Sequence, residues 1–182
     1  MIRNKVRIIG GEWRSRIITF PGGGDLRPTP DRIRETVFNW LGQDLSGKTC
    51  LDLFAGSGAM GFEAASRGAK RVLMVELDHE VLKVLQANSQ KLAATQIQLV
   101  AMDALKFMES DRQRFDVIFL DPPYRLGLLP KLLSLLPLHL AEDGLVYVED
   151  DNFLGPGVNW RVWRKGQAGK VHYQLLKSGK NG

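Results

Sequence analysis

From residue 47 onward, short apolar runs rich in β-branched residues alternate with segments of helical period, and this alternation constrains the fold most strongly. Strands that alternate with helices at such spacing form parallel β-α-β units in a doubly wound sheet. The predicted class is therefore α/β with a mostly parallel sheet. Its strands are expected at 49–54, 71–77, 98–102, 115–120 and 144–149.

The N-terminal segment does not follow this alternation. Two β-branched runs, at 6–9 and 16–20, flank a sequence containing Gly-Gly, which predicts an antiparallel hairpin. A helix is expected to follow at about 31–41, with Thr29 or Asp31 as the cap of its first turn. These elements predict a small hairpin and helix that extend the sheet domain.

The predicted helix at 31–41 has one apolar stripe. Ile33, Val37, Trp40 and Leu41 recur at the spacing of a single buried helix face. Phe38 lies well off this stripe, so it either packs against another element or stays exposed. The local pattern does not choose between these two outcomes.

The C-terminal segment offers two further strands. Candidates around 158–164 and 170–177, linked by Gly-Gln-Ala-Gly, have no helix between them and predict an antiparallel hairpin on the sheet. We therefore divide the chain into an N-terminal extension, residues 1–45, and a core domain, residues 46–182.

Charge separates the two ends of the chain from its middle. The net charge is +5, yet residues 1–34 carry eight Lys and Arg against three acidic residues, and residues 160–182 carry six and no acid. The segment between them has 11 basic and 17 acidic residues. Basic ends interleaved with aromatic residues favour contact with a polyanion such as nucleic acid.

The composition bears on disulfides, metal sites and the cellular location of the protein. The single cysteine, Cys50, excludes an internal disulfide and a cysteine-cluster metal site, and the three histidines are scattered, so no metal is expected. No apolar run approaches the length of a membrane span, and the N-terminus lacks the apolar region of a secretory signal. We expect a soluble, cytoplasmic protein that does not bind a membrane. We also expect a monomer, because no feature of the sequence requires a second copy.

A glycine loop follows the first strand of the alternating region. Residues 56–61 read Gly-Ser-Gly-Ala-Met-Gly, which places G-x-G-x-x-G between a strand and a helix. Glycines there let the backbone approach a ligand closely, while the helix N-terminus offers unpaired N–H groups. Glu76 ends the next strand, 20 residues beyond Gly56, where a carboxylate accepts hydrogen bonds from ribose hydroxyls. This arrangement predicts a nucleotide-type cofactor, either NAD, FAD or S-adenosylmethionine.

Two aspartates bear on which cofactor is bound. Asp52 lies in the first strand and points to the edge where ligands bind, where it would repel a pyrophosphate but could hold a cationic amino group. This favours S-adenosylmethionine, which has an ammonium group and no phosphate. Asp103 ends the third strand and could accept from an adenine amine while the Ala104 N–H donates to the ring. Asp103 could also cap the helix that follows, and the two roles are compatible.

The sequence Asp121-Pro122-Pro123-Tyr124 follows the strand at 115–120. Two prolines fix the backbone and remove two donors, which predicts a rigid lip rich in carbonyl oxygens. Asp121 and the Pro122 carbonyl would accept hydrogen bonds from an exocyclic amine, and Tyr124 would stack on a flat base. This chemistry suits methyl transfer to an amine, because the acceptors stabilise the positive charge that develops on nitrogen.

Seven blocks of the sequence together resemble the bacterial 16S rRNA guanine-N2 methyltransferases. They are RIIGGEWRSR at 7–16, LRPTPDRIRETVFNWL at 26–41, LDLFAGSGAMGFEAASRGA at 51–69, VELD at 75–78, FDVIFLDPPY at 115–124, LVYVE at 145–149 and GKVHYQLLK at 169–177. The glycine loop and D-P-P-Y are shared with many amino-methyltransferases, whereas the two N-terminal blocks are more selective. Two positions depart from the pattern: Pro30 stands where Thr or Ser is usual, and Leu77 is variable.

The resemblance implies a seven-strand Rossmann-like fold that uses S-adenosylmethionine and releases S-adenosylhomocysteine. It implies methylation of a guanine N2 amine, with 16S rRNA, the 30S subunit or an assembly intermediate as the partner. The cofactor-binding candidates are Asp52, Ala55, Gly56, Ser57, Gly58, Glu76, Leu77, Asp103 and Ala104. The catalytic candidates are Asp121, Pro122, Pro123 and Tyr124. The candidates on the RNA side are Arg14, Arg16, Arg27, Arg32 and Arg34.

Three other functions remain open on the sequence alone. A DNA adenine-N6 methyltransferase would use the same D-P-P-Y lip, although the chain has little room for a domain that reads DNA sequence. An NAD-linked oxidoreductase is disfavoured by Asp52 and by the lack of a substrate domain. A non-catalytic RNA-binding protein would have little use for an intact glycine loop and Asp121.

Overall fold

The computed structural model describes residues 3–22, 27–123, 126–151 and 155–179. Within these ranges the chain forms nine strands, five α-helices and a 3₁₀ turn at Leu136–His139. In chain order the elements are β1 (Arg3–Arg7), β2 (Ile17–Pro21), α1 (Asp31–Trp40), β3 (Thr49–Asp52), α2 (Ala59–Ser66), β4 (Arg71–Glu76), α3 (His79–Lys91), β5 (Ile97–Ala101), α4 (Ala104–Ser110), β6 (Phe115–Leu120), α5 (Leu129–Leu135), β7 (Leu140–Asp150), β8 (Trp160–Ala168) and β9 (Val171–Ser178).

Seven strands form one sheet in the order β5-β4-β3-β6-β7-β9-β8. Strands β3 to β7 are parallel, β9 is antiparallel to β7, and β8 is antiparallel to β9. This confirms the predicted mostly parallel sheet with a C-terminal hairpin. The chain leaves β3 toward β4 and β5 and later returns to β6 on its other side, and such a switch point opens a crevice at the carboxyl ends of the strands.

Helices cover both faces of this sheet. On one face, Val37, Phe62 and Leu85 bring α1, α2 and α3 into one apolar cluster with the sheet. On the other face, Phe107 and Leu132 bring in α4 and α5. Because both faces are covered, the parallel strands are apolar nearly throughout. Among the described residues no helix combines the length and the apolar character needed to cross a bilayer.

The N-terminal extension packs on the same face as α2. Strands β1 and β2 pair antiparallel, as predicted, and Val6, Ile18 and Phe20 belong to the apolar cluster of that face. Phe38 is fully buried, with its ring centroid 5.8 Å from that of Phe119 in β6. Tertiary packing therefore decides the question that the helical pattern left open.

A buried ion cluster joins the extension to α2. Both Glu63 oxygens are used: Oε1 accepts from Ile9 N at 2.9 Å and from Arg34 at 3.1 Å, while Oε2 accepts from Gly10 N and Arg67 Nε, each at 2.9 Å. We call Arg34, Glu63, Arg67 and the backbone of Ile9 and Gly10 the Glu63 hub. Its carboxylate and its Arg34 guanidinium are completely buried.

The predicted cap of α1 was wrong. The N-cap residue is Pro30, which makes no side-chain cap hydrogen bond. The Thr29 hydroxyl instead donates to Glu149 Oε2 at 3.1 Å, and Asp31 pairs with Arg34. Thr29 has a tertiary partner and Asp31 pairs within α1 itself, so neither side chain is used for capping.

The predicted link of the C-terminal hairpin was also misplaced. Gly166, Gln167 and Ala168 lie in β8, and the turn is formed by Gly169 and Lys170. Gly166 pairs with Tyr173, whose ring lies so close that a Cβ at Gly166 would stand 2.4 Å from it. A glycine in this strand therefore makes room for a cross-strand ring rather than for a turn.

Candidate active site

The glycine loop lies at the switch point, between β3 and α2. Strand β3 ends at Asp52, two residues earlier than predicted, and the chain then turns back over the sheet edge. Gly56 and Gly58 both have positive φ, at 53° and 81°. A Cβ at Gly58 would also lie 2.5 Å from the Phe62 ring. The loop therefore needs glycine at position 58 for its backbone conformation and for its packing.

Glu76 fastens this loop to the end of β4. Its Oε1 accepts from Gly56 N and its Oε2 from Asp78 N, each at 2.9 Å. Ala55 N donates to Val75 O at 3.0 Å, which adds a second tie between the loop and β4. The half-buried Glu76 carboxylate is thus held in one orientation before any ligand arrives.

Asp52 lies beneath the loop and is 4% exposed. Its Oδ2 accepts from Gly61 N at 3.1 Å, in the first turn of α2. Burial raises the pKa of Asp52 to about 8, the Gly61 bond opposes this shift, and the nearby Glu76 adds to it. Among the residues that the structure describes, no cation forms an ion pair with Asp52.

Asp103 and Leu77 lie on the β4 and β5 side of the loop. Asp103 caps α4, since its Oδ2 accepts from Lys106 N at 3.1 Å, as the sequence had allowed. Ala104 is buried behind it, and Met102 N donates to Glu76 O at 3.3 Å. Leu77, just after the end of β4, is 63% exposed. The cofactor candidates of β3, β4 and β5 thus meet at one edge of the sheet.

Asp121 continues this edge at the end of β6. Its carboxylate is half-buried, Pro122 is buried, and the Pro123 carbonyl accepts from Leu126 N at 3.1 Å. Burial raises the pKa of Asp121 well above its usual value, and the negative charges of Glu149 and Asp52 raise it further. Tyr124, the fourth predicted member of the lip, lies outside the described residues.

Sequence reasoning missed Glu149 at this edge and the contact that Thr29 makes with it. Glu149 ends the predicted strand at 144–149, is 7% exposed, and accepts from the Tyr147 hydroxyl at 2.8 Å. Thr29 reaches the same Glu149 oxygen from the extension. The available signal was an acidic residue at the carboxyl end of a buried strand, the same signal that identified Glu76.

The arginines expected on the RNA side divide into two groups. Arg14, Arg16, Arg27 and Arg32 are exposed. Arg34 corrects the expectation, because it is 0% exposed and its guanidinium is held by Glu63, Asp31 and the Thr29 and Arg7 carbonyls. Its position beside Ile33 and one turn before Phe38 shows that the buried face of α1 is wider than the predicted stripe.

Helix α1 of the extension contacts the basic C-terminal hairpin. Trp40 of α1 stacks on Tyr173 of β9, with ring centroids 5.5 Å apart. Nearby in the hairpin, Arg164 and Lys177 contact the Trp163 ring at 4.2 and 4.3 Å from its centroid. Lys180 lies outside the described residues. The extension and the basic hairpin thus adjoin through α1.

This sheet order, with a glycine loop at the switch point and carboxylates along the same edge, defines the class I methyltransferase fold. The family described as Conserved hypothetical protein 95 matches residues 6–177. The chain is 42% identical to ribosomal RNA small subunit methyltransferase D of Escherichia coli K12, over 95% of this chain and 90% of that protein. It is 40% identical to the Haemophilus influenzae protein of the same name, over 97% and 95% of the two chains.

Solved structures agree with these sequence matches. A putative methyltransferase from Escherichia coli, yhhF, superimposes with a TM-score of 0.87 at 41% identity, over 96% of this chain and 98% of that one. The putative methylase HI0767 from Haemophilus influenzae gives a TM-score of 0.82 at 38% identity, over 97% and 100%. The chain therefore belongs to the family of ribosomal RNA small subunit methyltransferase D.

Proposed function

We propose that this protein transfers a methyl group from S-adenosylmethionine to the exocyclic N2 amine of a guanine in small-subunit (16S) rRNA. The observation that carries the proposal is the position of Asp121-Pro122-Pro123 at the switch point, beside a glycine loop fastened by Glu76. Membership in the rRNA methyltransferase D family supports the RNA substrate.

The residues at the β3 and β4 ends suit S-adenosylmethionine. Asp52 is a buried carboxylate without a cation among its described neighbours, and a ligand ammonium would supply the missing positive charge. The fixed Glu76 carboxylate would accept from the ribose hydroxyls, as an acid does at this point of related nucleotide sites. Asp103, Ala104 and the exposed Leu77 would border the adenine. The site offers no cation to a pyrophosphate among these residues.

Bound S-adenosylmethionine supplies an electrophilic methyl group, and the protein must make the guanine amine able to accept it. The amine lone pair is delocalised into the purine ring, so nitrogen is a poor nucleophile. Asp121 and the Pro122 carbonyl would accept hydrogen bonds from the amine, align the lone pair and stabilise the positive charge that develops on nitrogen. The N–CH₃ bond forms as the S–CH₃ bond breaks, and the methylated amine then releases a proton.

The exposed arginines of the N-terminal extension would contact the RNA. Exposed Arg14, Arg16, Arg27 and Arg32 are suited to phosphate contacts, which supply affinity without reading sequence. Arg34 is assigned a structural role instead, because it is buried in the Glu63 hub. A ribosomal substrate places this activity in the cytoplasm, and the protein is proposed to act as a monomer.

The test is transfer of labelled methyl groups from S-adenosylmethionine to unmethylated 16S rRNA, 30S subunits and duplex DNA in parallel, followed by nucleoside analysis. We expect label in N2-methylguanosine from one of the two RNA substrates, and the better substrate shows when in assembly the enzyme acts. Label in N6-methyladenine of DNA would overturn the substrate assignment. Cofactor binding without any transfer would point to an RNA-binding protein.

A further inference from the structure

Glu149 lies beside Asp121 but has no part in the mechanism above. Leu120 and Val148 are paired across β6 and β7, so Asp121, just beyond β6, and Glu149, the next-to-last residue of β7, lie at the same level of the sheet. Glu149 shares a sheet face with Tyr147 and Tyr173, and Asp121 shares that face with Phe119. Two carboxylates therefore border the place where the target amine would lie.

The Glu149 carboxylate is held from two directions. Its Oε2 accepts from the Tyr147 hydroxyl of its own strand at 2.8 Å and from the Thr29 hydroxyl of the extension at 3.1 Å. Both donors are buried, and the Tyr147 ring rests on Phe119, with centroids 6.4 Å apart. Thr29 is itself fixed, because its carbonyl accepts from Arg34 Nε at 3.0 Å. Such support is typical of a side chain whose orientation matters.

Placing this group beside Asp121 is costly. An ionised carboxylate only accepts hydrogen bonds. Two ionised carboxylates side by side repel each other, and partial burial strengthens that repulsion. Burial raises the pKa of Asp121, and the Glu149 charge raises it further. A ligand that presents two adjacent donors would relieve the repulsion.

Guanine and adenine differ in the group that adjoins the exocyclic amine. The N2 amine of guanine adjoins an N1–H donor, so two neighbouring carboxylates can each accept a hydrogen bond. The N6 amine of adenine adjoins an N1 lone pair, which a carboxylate repels. The Asp-Pro-Pro lip binds an amine of either base, so it cannot make this distinction by itself.

We propose that Glu149 accepts a hydrogen bond from N1–H of the target guanine and is the residue that selects guanine over adenine. Thr29 and Tyr147 are positioning residues that hold this carboxylate. The inference rests on the proposed guanine-N2 activity. It also gives the extension a second role, since Thr29 links the RNA-facing segment to the group that reads the base.

The experiment uses RNA in which the guanosine that the wild-type enzyme methylates is replaced, by splinted ligation, with 2,6-diaminopurine or 2-aminopurine riboside. Both analogues keep the 2-amine and lack N1–H, and they differ at position 6. We expect the wild type to prefer guanosine by on the order of a hundredfold in kcat/KM over each analogue, because a site built for a donor rejects a base that lacks it.

The variant Glu149→Gln should lose most of this preference, because its amide can donate to the N1 lone pair of the analogues. Glu142→Gln, at an exposed position of the same strand, is the matched control and should keep the wild-type preference. Thr29→Val should lower the preference less than Glu149→Gln, and Thr29→Ser should retain it. Binding of S-adenosylhomocysteine and the melting temperature show that each variant is folded.

Two results would overturn the inference, and one of them needs no variant. If the wild-type enzyme methylates the 2,6-diaminopurine and 2-aminopurine RNAs as efficiently as the guanosine RNA, it has no acceptor for N1–H. A folded Glu149→Gln enzyme with the wild-type preference would remove Glu149 from base selection. Absence of N2-methylguanosine from the wild-type reaction would instead overturn the proposed function, and this is measured first.

Discussion

Glu63, within α2, and Asp52, which accepts a hydrogen bond from α2, are both buried carboxylates. The fold compensates their burial differently. Glu63, in the hub, accepts from two arginines and two backbone N–H groups. Asp52, at the sheet edge, accepts a backbone hydrogen bond from Gly61, and burial raises its pKa to about 8. One carboxylate is neutralised within the protein, and the other retains an unmet need for positive charge or donors.

The difference separates a structural ion cluster from a binding site. Breaking a fully paired buried cluster leaves an uncompensated charge and destabilises the fold. An under-compensated carboxylate in a crevice costs stability in the free protein and is repaid when a ligand brings the missing partner. Asp121 extends the second kind of environment along the sheet edge, since burial raises its pKa as well.

The largest effect is expected from Glu63→Ala, which leaves Arg34 and Arg67 buried without their counter-ion. We expect the free energy of unfolding, measured by urea denaturation, to fall by about 3–5 kcal/mol. Glu80→Ala is the control, because Glu80 pairs with Lys83 on the surface, and it should cost about 1 kcal/mol or less. Equal losses in the two variants would show that the hub does not hold the extension in place.

Asp121→Ala tests the other side of the comparison through activity. We expect kcat/KM for methyl transfer to fall about 100- to 1,000-fold, because an acceptor for the amine is lost at the point where charge develops. Affinity for S-adenosylhomocysteine, measured by calorimetry, should stay within a few-fold. Asp151→Ala removes an exposed carboxylate nearby and should retain activity. Unchanged turnover in Asp121→Ala would contradict the catalytic assignment.

Asp52 should make stability depend on pH. The unfolded chain releases this proton near pH 4 and the folded protein near pH 8, so the unfolded state binds fewer protons between these values. The free energy of unfolding should therefore fall as pH rises from 5 to 8, by about 3–4 kcal/mol from this group. Asp52→Asn should flatten that fall in urea titrations at the two pH values. An identical slope in the variant would mean that Asp52 ionises normally.

The smallest effect, a change in RNA affinity, is expected from the exposed arginines of the extension. Replacing Arg14 and Arg32 together by Gln should weaken RNA binding and lower the slope of log affinity against log salt by about one to two units. Lys106→Gln with Lys131→Gln removes two exposed charges on the helices of the opposite sheet face and is the matched control. If both pairs change the slope equally, binding reflects overall charge rather than a defined face.

Much of this molecule was predictable from local pattern. The alternation of strands and helices, the two hairpins and the glycine loop depend on residues that are close in sequence, so periodicity and turn chemistry predict them. The convergence of Asp52, Glu76, Asp103 and Asp121 at one edge also followed, because the carboxyl ends of parallel strands share an edge. Those predictions concern where elements lie and which ends meet.

The fate of individual charges was not predictable in the same way. Arg34 resembles the exposed Arg32 two positions earlier, yet it is buried because Glu63, 29 residues away, lies beneath it. Thr29 resembles a helix cap, yet its hydroxyl bonds Glu149, 120 residues away. The sequence by itself determined the order of the elements and the edge that carries the chemistry. Tertiary structure alone decided which charges are neutralised inside and which await a ligand, because that depends on partners brought together only by folding.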